Sequence, residues 1–146
     1  MKLSTRARYG TRALVELALA WPDHTVSVSD VAQRQKISPK YLERIMSALK
    51  ASGIIKAERG VHGGYALARA PESITLSEVL NVLEGSSAPV KCVDDPDLCP
   101  LEDICPVRDT WVEVKRCVEE VLARTTIGDL AKRKKRIDGA ASGRGS

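Results

Sequence analysis

The sequence predicts a mainly α-helical fold that carries one short two-stranded hairpin and a long irregular loop ahead of a long final helix. Three observations predict it. Apolar residues recur at helical spacing along most of the chain. A glycine-rich connection, Gly60-Val61-His62-Gly63-Gly64, joins two short β-prone runs. All four cysteines (Cys92, Cys99, Cys105 and Cys117) fall within 26 residues. At 146 residues, the chain is long enough for about one domain with a core of its own. That core must rest on Leu, Ile, Val and Ala, because aromatics make up 3% of the chain and Phe is absent.

Leu3, Ala7, Gly10, Leu14, Leu17, Ala18 and Trp21 step by three and four residues and predict a first helix, ended by Pro22. A second begins near Ser29, with Val31 and Ala32 inward. Ser38 is a good N-cap and Pro39 suits the first position of a third helix, Pro39 to Ala51, which Gly53 stops. On its wheel Tyr41, Leu42, Ile45, Met46 and Leu49 gather on one side. Lys40, Glu43, Arg44 and Ser47 gather on the other, within about 100° of arc. Ile54 to Arg59 and Tyr65 to Ala68 read as the strands of the hairpin. Thr75-Leu76-Ser77-Glu78 reads as a capping box that opens a helix with Val79, Leu80, Val82 and Leu83, closed by Gly85.

From Ser86 to Pro106 the periodicity is lost, and four prolines and five acids make a loop of about twenty residues. A loop of that length is usually functional or disordered. A long helix follows from about Val107 to Arg124, with Trp111, Val114, Val118, Val121 and Leu122 on one stripe. Thr126-Ile127-Gly128-Asp129 looks like the cap of one more short helix. The Lys/Arg run beyond it, followed by small residues, has disordered composition.

Charge divides the same way. Residues 1–60 hold eleven Lys/Arg against five Asp/Glu, residues 61–88 sum to −2, residues 89–131 to −5 and residues 132–146 to +5. A basic front half is the electrostatic footprint of a nucleic-acid binder. No apolar run reaches the length of a membrane span, since Ala13 to Trp21 is broken by Glu16. Arg6, Arg8, Arg12 and Glu16 interrupt the pattern of a secretory signal, so a cytoplasmic location away from the membrane is expected. An enzyme is not expected. There is no nucleophile–base pair and no phosphate loop after a strand, and the two histidines, His24 and His62, fall in predicted loops.

Helix, helix, turn, helix and hairpin is the order of a winged helix-turn-helix, expected over residues 1–70. A linking helix is expected over 71–88, a cysteine loop over 89–106, a dimerisation helix over 107–131 and a basic disordered tail over 132–146. The third helix must show polar side chains to the DNA major groove while its other face anchors in the core. Lys40 and Arg44, one turn apart, suit phosphates or guanine edges, and Glu43 between them suits cytosine. Ser38 and Tyr41 can donate to phosphate near the helix start. Arg59 and His62 mark the tip of the wing, where Gly63 and Gly64 would let the backbone approach DNA, and Arg59 suits the minor groove. Read without the hairpin, Lys40, Glu43 and Arg44 are an ordinary solvated helix face, Tyr41 a boundary residue and His62 a plain loop residue.

Four clustered thiols in a cytosolic chain point to metal binding or redox chemistry before a disulfide framework. Cys92, Cys99 and Cys105 are spaced C-x6-C-x5-C, which offers three thiolates to an iron–sulfur cluster. Zinc favours C-x2-4-C pairs, which are absent. A metal-free thiol switch, in which two of the three oxidise to a disulfide, is the second reading, and a small iron–sulfur carrier is a third. A carrier would not need the helix-turn-helix and wing. Cys117 shares the stripe of Val114, Val118 and Val121 and is expected to be a buried, inert thiol.

The segments Met1 to Gly10, Ile37-Ser38-Pro39-Lys40-Tyr41-Leu42-Glu43 and Arg59-Gly60-Val61-His62-Gly63-Gly64-Tyr65 resemble the bacterial winged-helix regulators that include IscR, NsrR and CymR. The similarity runs from Met1 to about Leu130. It implies a homodimeric repressor-type regulator on a near-palindromic double-stranded operator, controlling iron–sulfur cluster biogenesis or a stress response. For Cys92, Cys99 and Cys105 it implies a cluster, 2Fe-2S favoured over 4Fe-4S, with cluster-donor proteins as possible partners. The fourth ligand departs from the family pattern. The histidine that IscR-like members place three residues after the third cysteine is Arg108 here, and the N-terminal aspartate of NsrR-like members corresponds to Arg8. Asp109, Glu102, Asp103, Cys117 or a group from another part of the dimer are the alternatives.

Overall fold

In a computed structural model, which describes residues 2–143, the chain folds as six helices and one antiparallel hairpin. Helix α1 spans Thr5–Ala20, α2 Val28–Gln35 and α3 Pro39–Ala51; strands β1 and β2 span Ile55–Glu58 and Gly64–Leu67. Helix α4 spans Leu76–Leu83, α5 Arg108–Arg124 and α6 Ile127–Gly143. The fold is the winged helix-turn-helix expected from the sequence. Among the described residues no helix is long and apolar enough to cross a membrane.

Serine and threonine set most helix starts. Ser4, Ser27, Ser38 and Thr75 each accept from the backbone N–H three residues on, satisfying a donor the helix itself cannot. Lys36, in the left-handed region at φ 57°, ends α2 and turns the chain into α3 within three residues. The strands pair Ile55 with Leu67 and Glu58 with Gly64. Val26 and Tyr65 exchange backbone hydrogen bonds of 2.8 Å in both directions, which adds one rung from the turn before α2 to the wing.

The buried core draws Leu14 and Leu17 from α1, Val31 from α2, and Leu42, Ile45, Met46 and Leu49 from α3. Ile54, Leu67, Ile74, Val79 and Ile127 are buried with them. Fully burying each such side chain is worth about 1.5–3 kcal/mol. Gly10 is needed where α1, α3 and α4 meet. A Cβ there would collide with Leu83 Cδ1 and stand 3.0 Å from Ile45 Cγ2.

Three features differ from the sequence reading. The expected capping box at Thr75 is half formed: Thr75 accepts from Glu78 N–H, but the Glu78 carboxylate pairs with Arg69. The chain before α6 pairs with this segment, Leu76 N–H donating to the Thr125 carbonyl and Ile127 N–H to the Ile74 carbonyl, both at 2.8 Å. A complete reciprocal cap forms instead at α6, where Thr126 N–H donates to Asp129 Oδ2 at 2.9 Å and Asp129 N–H to Thr126 Oγ1 at 3.1 Å. The basic tail, expected to lack structure from Lys132, is helical to Gly143; residues 144–146 of it lie outside the described residues. Lys, Arg and Ala are strong helix formers, Lys134 pairs with Asp138 one turn on at 2.8 Å, and the helix packs along α1. Finally, Cys117 is exposed rather than buried. It sits at the margin of the α5 stripe, and α5 buries no residue against its own chain.

Candidate nucleic-acid interface and cysteine loop

The predicted DNA-facing residues sit on two elements anchored to one core. Leu42, Ile45, Met46 and Leu49 fix one face of α3, which leaves Lys40, Glu43 and Arg44 exposed on the other. Ser38 spends its hydroxyl oxygen on the cap, accepting from Tyr41 N–H at 3.1 Å, and is exposed. Tyr41 is half-buried, its ring edge-on to Tyr9 of α1 at 6.3 Å. Arg59, Val61 and His62 are exposed on the wing, Val61 at 98%. The His62 carbonyl accepts from Thr25 Oγ1 at 2.7 Å, which pins the wing tip to the turn before α2.

Gly63 and Gly64 have a structural reason of their own. A Cβ on Gly63 would lie 2.6 Å from the Glu58 carbonyl, and one on Gly64 would lie 2.6 Å from the Val26 carbonyl. The chain's own backbone therefore already demands glycine at both positions.

Arg8 and Arg12 were not singled out as interface residues by the sequence reading. Their guanidinium groups lie 5.9 Å and 5.2 Å from the centroid of the Tyr9 ring. Through the Tyr9–Tyr41 contact they extend the positive surface beside the start of α3. The signal was present as arginines one turn apart, but where α1 lies against α3 is a tertiary fact.

The cysteine segment leaves α4 at Gly85 and reaches α5 through three short 3-10 turns, Lys91–Val93, Pro96–Leu98 and Glu102–Ile104, none with a buried residue. Cys92 lies in the first turn, and Cys99 and Cys105 directly follow the second and third; all three are half-buried free thiols. The donors are of the kind an iron–sulfur cluster takes. Their present arrangement is not, because among the described residues no three His, Cys, Asp or Glu side chains converge to hold a metal ion. Assembly of a site therefore requires the turns to repack, which their lack of buried contacts makes inexpensive.

One clasp holds the segment to α5. Asp94 accepts from Ser86 Oγ and from Lys115 Nζ, the latter at 2.9 Å, and Ser87 Oγ donates to Glu119 at 3.2 Å. The Ser86 hydroxyl and then the Lys115 ammonium hold the Asp94 carboxyl below its ordinary range, while the Asp94 hydrogen bond raises Lys115. Of the candidate fourth ligands, Glu102 faces Arg108 at 3.6 Å, while Asp103 and Asp109 are exposed. Arg108 Nε is buried without a hydrogen-bond partner.

A helix-turn-helix with an adjoining wing and an exposed basic helix face defines a DNA-binding transcription regulator, not an enzyme. The chain belongs to the Rrf2 family, described as iron-dependent transcriptional regulators, whose profile matches residues 3–133. It is 42% identical over 130 residues to protein rrf2 of Nitratidesulfovibrio vulgaris, covering 89% of this chain and 87% of that one. The solved structure of CymR, the global cysteine regulator of B. subtilis, superposes with a TM-score of 0.77 at 35% identity, covering 91% of this chain and 98% of that one. IscR of T. potens superposes with a TM-score of 0.76 at 34% identity, covering 92% of this chain and 88% of that one.

Proposed function

We propose that the chain is a homodimeric cytoplasmic regulator that reads double-stranded DNA through α3 and the wing. Cys92, Cys99 and Cys105 carry the signal as ligands of an iron–sulfur cluster, 2Fe-2S rather than 4Fe-4S, and its presence changes operator affinity. When bound, the cluster supplies a redox- and oxidant-sensitive group that draws three thiolates together. Lys40 meets phosphate, Arg44 and Arg59 meet base edges or the narrow minor groove, and Glu43 restricts which bases fit. Joining two protomers through the exposed stripe of α5, including Trp111 at 37% and Val121 at 46% exposure, sets two recognition helices on a near-palindromic site.

One observation carries the coupling. The cysteine segment hangs between α5, to which Asp94 and Ser87 clasp it, and α4, whose Leu83 wedges with Ile45 of α3 against Gly10. Packed contacts of this kind pass a small displacement on rather than absorb it. Repacking of the cysteine turns thus has a short path to the recognition helix. A tenfold change in DNA affinity requires only about 1.4 kcal/mol of difference between the two loop states.

A metal-free thiol switch on the same three cysteines is the second reading, favoured by the likeness to CymR, of which an oxidised form from Staphylococcus aureus is also a structural neighbour at a TM-score of 0.73. Iron and acid-labile sulfide measured on protein purified without oxygen separate the two. The cluster reading expects near-equal iron and sulfide, about two of each per protomer for the smaller cluster. It also expects Cys99→Ala to lose both while keeping its fold. Iron-free wild-type protein that binds DNA, or a Cys99→Ala protein with full iron, overturns the ligand assignment.

A further inference from the structure

The run Lys132-Arg133-Lys134-Lys135-Arg136 lies inside α6, so its charges have fixed directions. At 100° per residue, Ile127, Leu130, Ala131, Lys134 and Asp138 share the side that packs towards α1. Lys132, Arg133, Lys135 and Arg136 occupy about 160° of the opposite side. All four are exposed, and none makes an ion pair within 4.0 Å among the described residues, although the Asp129 carboxylate, one turn back, attracts Lys132 and Arg133. Lys134, on the inner side, is paired with Asp138.

The inner side of α6 lies beside the turn that anchors the wing. Lys134 and Asp138 line a groove of about 500 Å³ together with Glu16, Ala20, His24 and Thr25. Thr25 is the residue whose hydroxyl donates to His62 at the wing tip. α6 therefore runs beside the turn that anchors the wing. Its outer face brings four exposed cations within about 6 Å of helix rise, a charge density that suits a phosphate backbone carrying one charge per roughly 3.4 Å of each strand.

We propose that the outer face of α6 is a second nucleic-acid contact, holding backbone phosphates of the duplex that flanks the segment read by α3 and the wing. The proposal rests on DNA reading by those elements. Beside the four cations Ile137, 62% exposed, is the one large exposed apolar side chain among the described residues of α6, less than an interfacial helix inserts into an anionic membrane. Phosphate contacts of this kind add affinity and salt dependence without sequence preference.

The test uses the full chain and a duplex that the wild-type protein selects from a random pool. That duplex is prepared trimmed to its core and with about ten further base pairs, one helical turn, on each side. Two variants are compared over a potassium chloride series. One carries Lys132→Gln, Arg133→Gln, Lys135→Gln and Arg136→Gln; the other exchanges Lys and Arg at the same positions. On the long duplex the Gln variant is expected to bind about ten- to a hundredfold more weakly, with a log K against log salt slope shallower by about 3 per protomer. On the core duplex it should match the wild type, and the exchange variant should match it on both. Thermal unfolding reports whether the Gln variant keeps its fold, which four exposed substitutions should leave intact.

Equal slopes on the long duplex, or an equal loss on both duplexes, overturn the proposal alone. Variant-sensitive binding of the wild type to phosphatidylglycerol vesicles with an unchanged DNA slope overturns it in favour of a membrane. A wild-type protein that selects no duplex overturns the DNA reading and this proposal together.

Discussion

Arg44 and Arg59 stand on different elements, the first locked in direction by the buried face of α3 and the second at the end of β1 beside the pinned wing tip. If they read bases, Arg44→Ala or Arg59→Ala should each weaken operator binding by about 1–3 kcal/mol and relax preference at one position. Lys40→Ala should weaken all sequences alike and make the salt slope shallower by about 1. Isotherms on operator and scrambled duplexes separate these outcomes, and no change returns the residue to a solvated helix face. Much at this scale is legible in sequence. Ser38 and Pro39 announce the start of α3, and the wheel separates Lys40, Glu43 and Arg44 from Leu42, Ile45 and Leu49. The placement of Arg8 and Arg12 beside the start of α3 is not legible, because it depends on Tyr9 meeting Tyr41 across two helices. Nor is the true reason for Gly63 and Gly64, which lies in carbonyls of Glu58 and Val26 that only the folded hairpin brings close.

At the scale of elements, the junction of α1, α3 and α4 has no room for a methyl group at Gly10. Gly10→Ala should destabilise the protein by about 1–3 kcal/mol through overpacking, read as a lower urea midpoint at constant slope. The cap of α6 gives a pH dependence of known sign. The Thr126 backbone N–H and then its hydroxyl hold the Asp129 carboxyl below its ordinary range. Its contribution is therefore present above the ordinary aspartate range and lost as pH falls through the lowered folded value. Asp129→Ala should cost stability at neutral pH and flatten this part of the acid limb in thermal unfolding monitored by helicity. A variant with an unaltered acid limb would contradict the cap. The sequence shows that cap in Thr126 and Asp129 but not the length of α6, since a Lys/Arg run with small residues reads alike in a disordered tail and an exposed helix. The half-formed box at Thr75 shows the converse, a local pattern overruled when Arg69 takes the glutamate.

For the whole molecule, the division into a basic reading half and an acidic cysteine segment follows from charge and thiol placement alone. The clasp that holds this segment to α5 does not, because Asp94 and Lys115 are 21 residues apart and nothing periodic links them. The arrangement of the thiols is equally beyond sequence, since the 3-10 turns that carry them have no buried side chain to fix their register. In the proposed function the state of this segment sets the affinity of α3 and the wing for DNA. That dependence is tested most directly by operator-binding isotherms, taken without oxygen, of the wild-type protein and of a Cys92→Ala, Cys99→Ala, Cys105→Ala variant with matching thermal stability. The dissociation constants should differ by about tenfold or more, the shift that about 1.4 kcal/mol of coupling produces. Superimposable isotherms from a wild-type protein with its three thiols ligated or oxidised would contradict it.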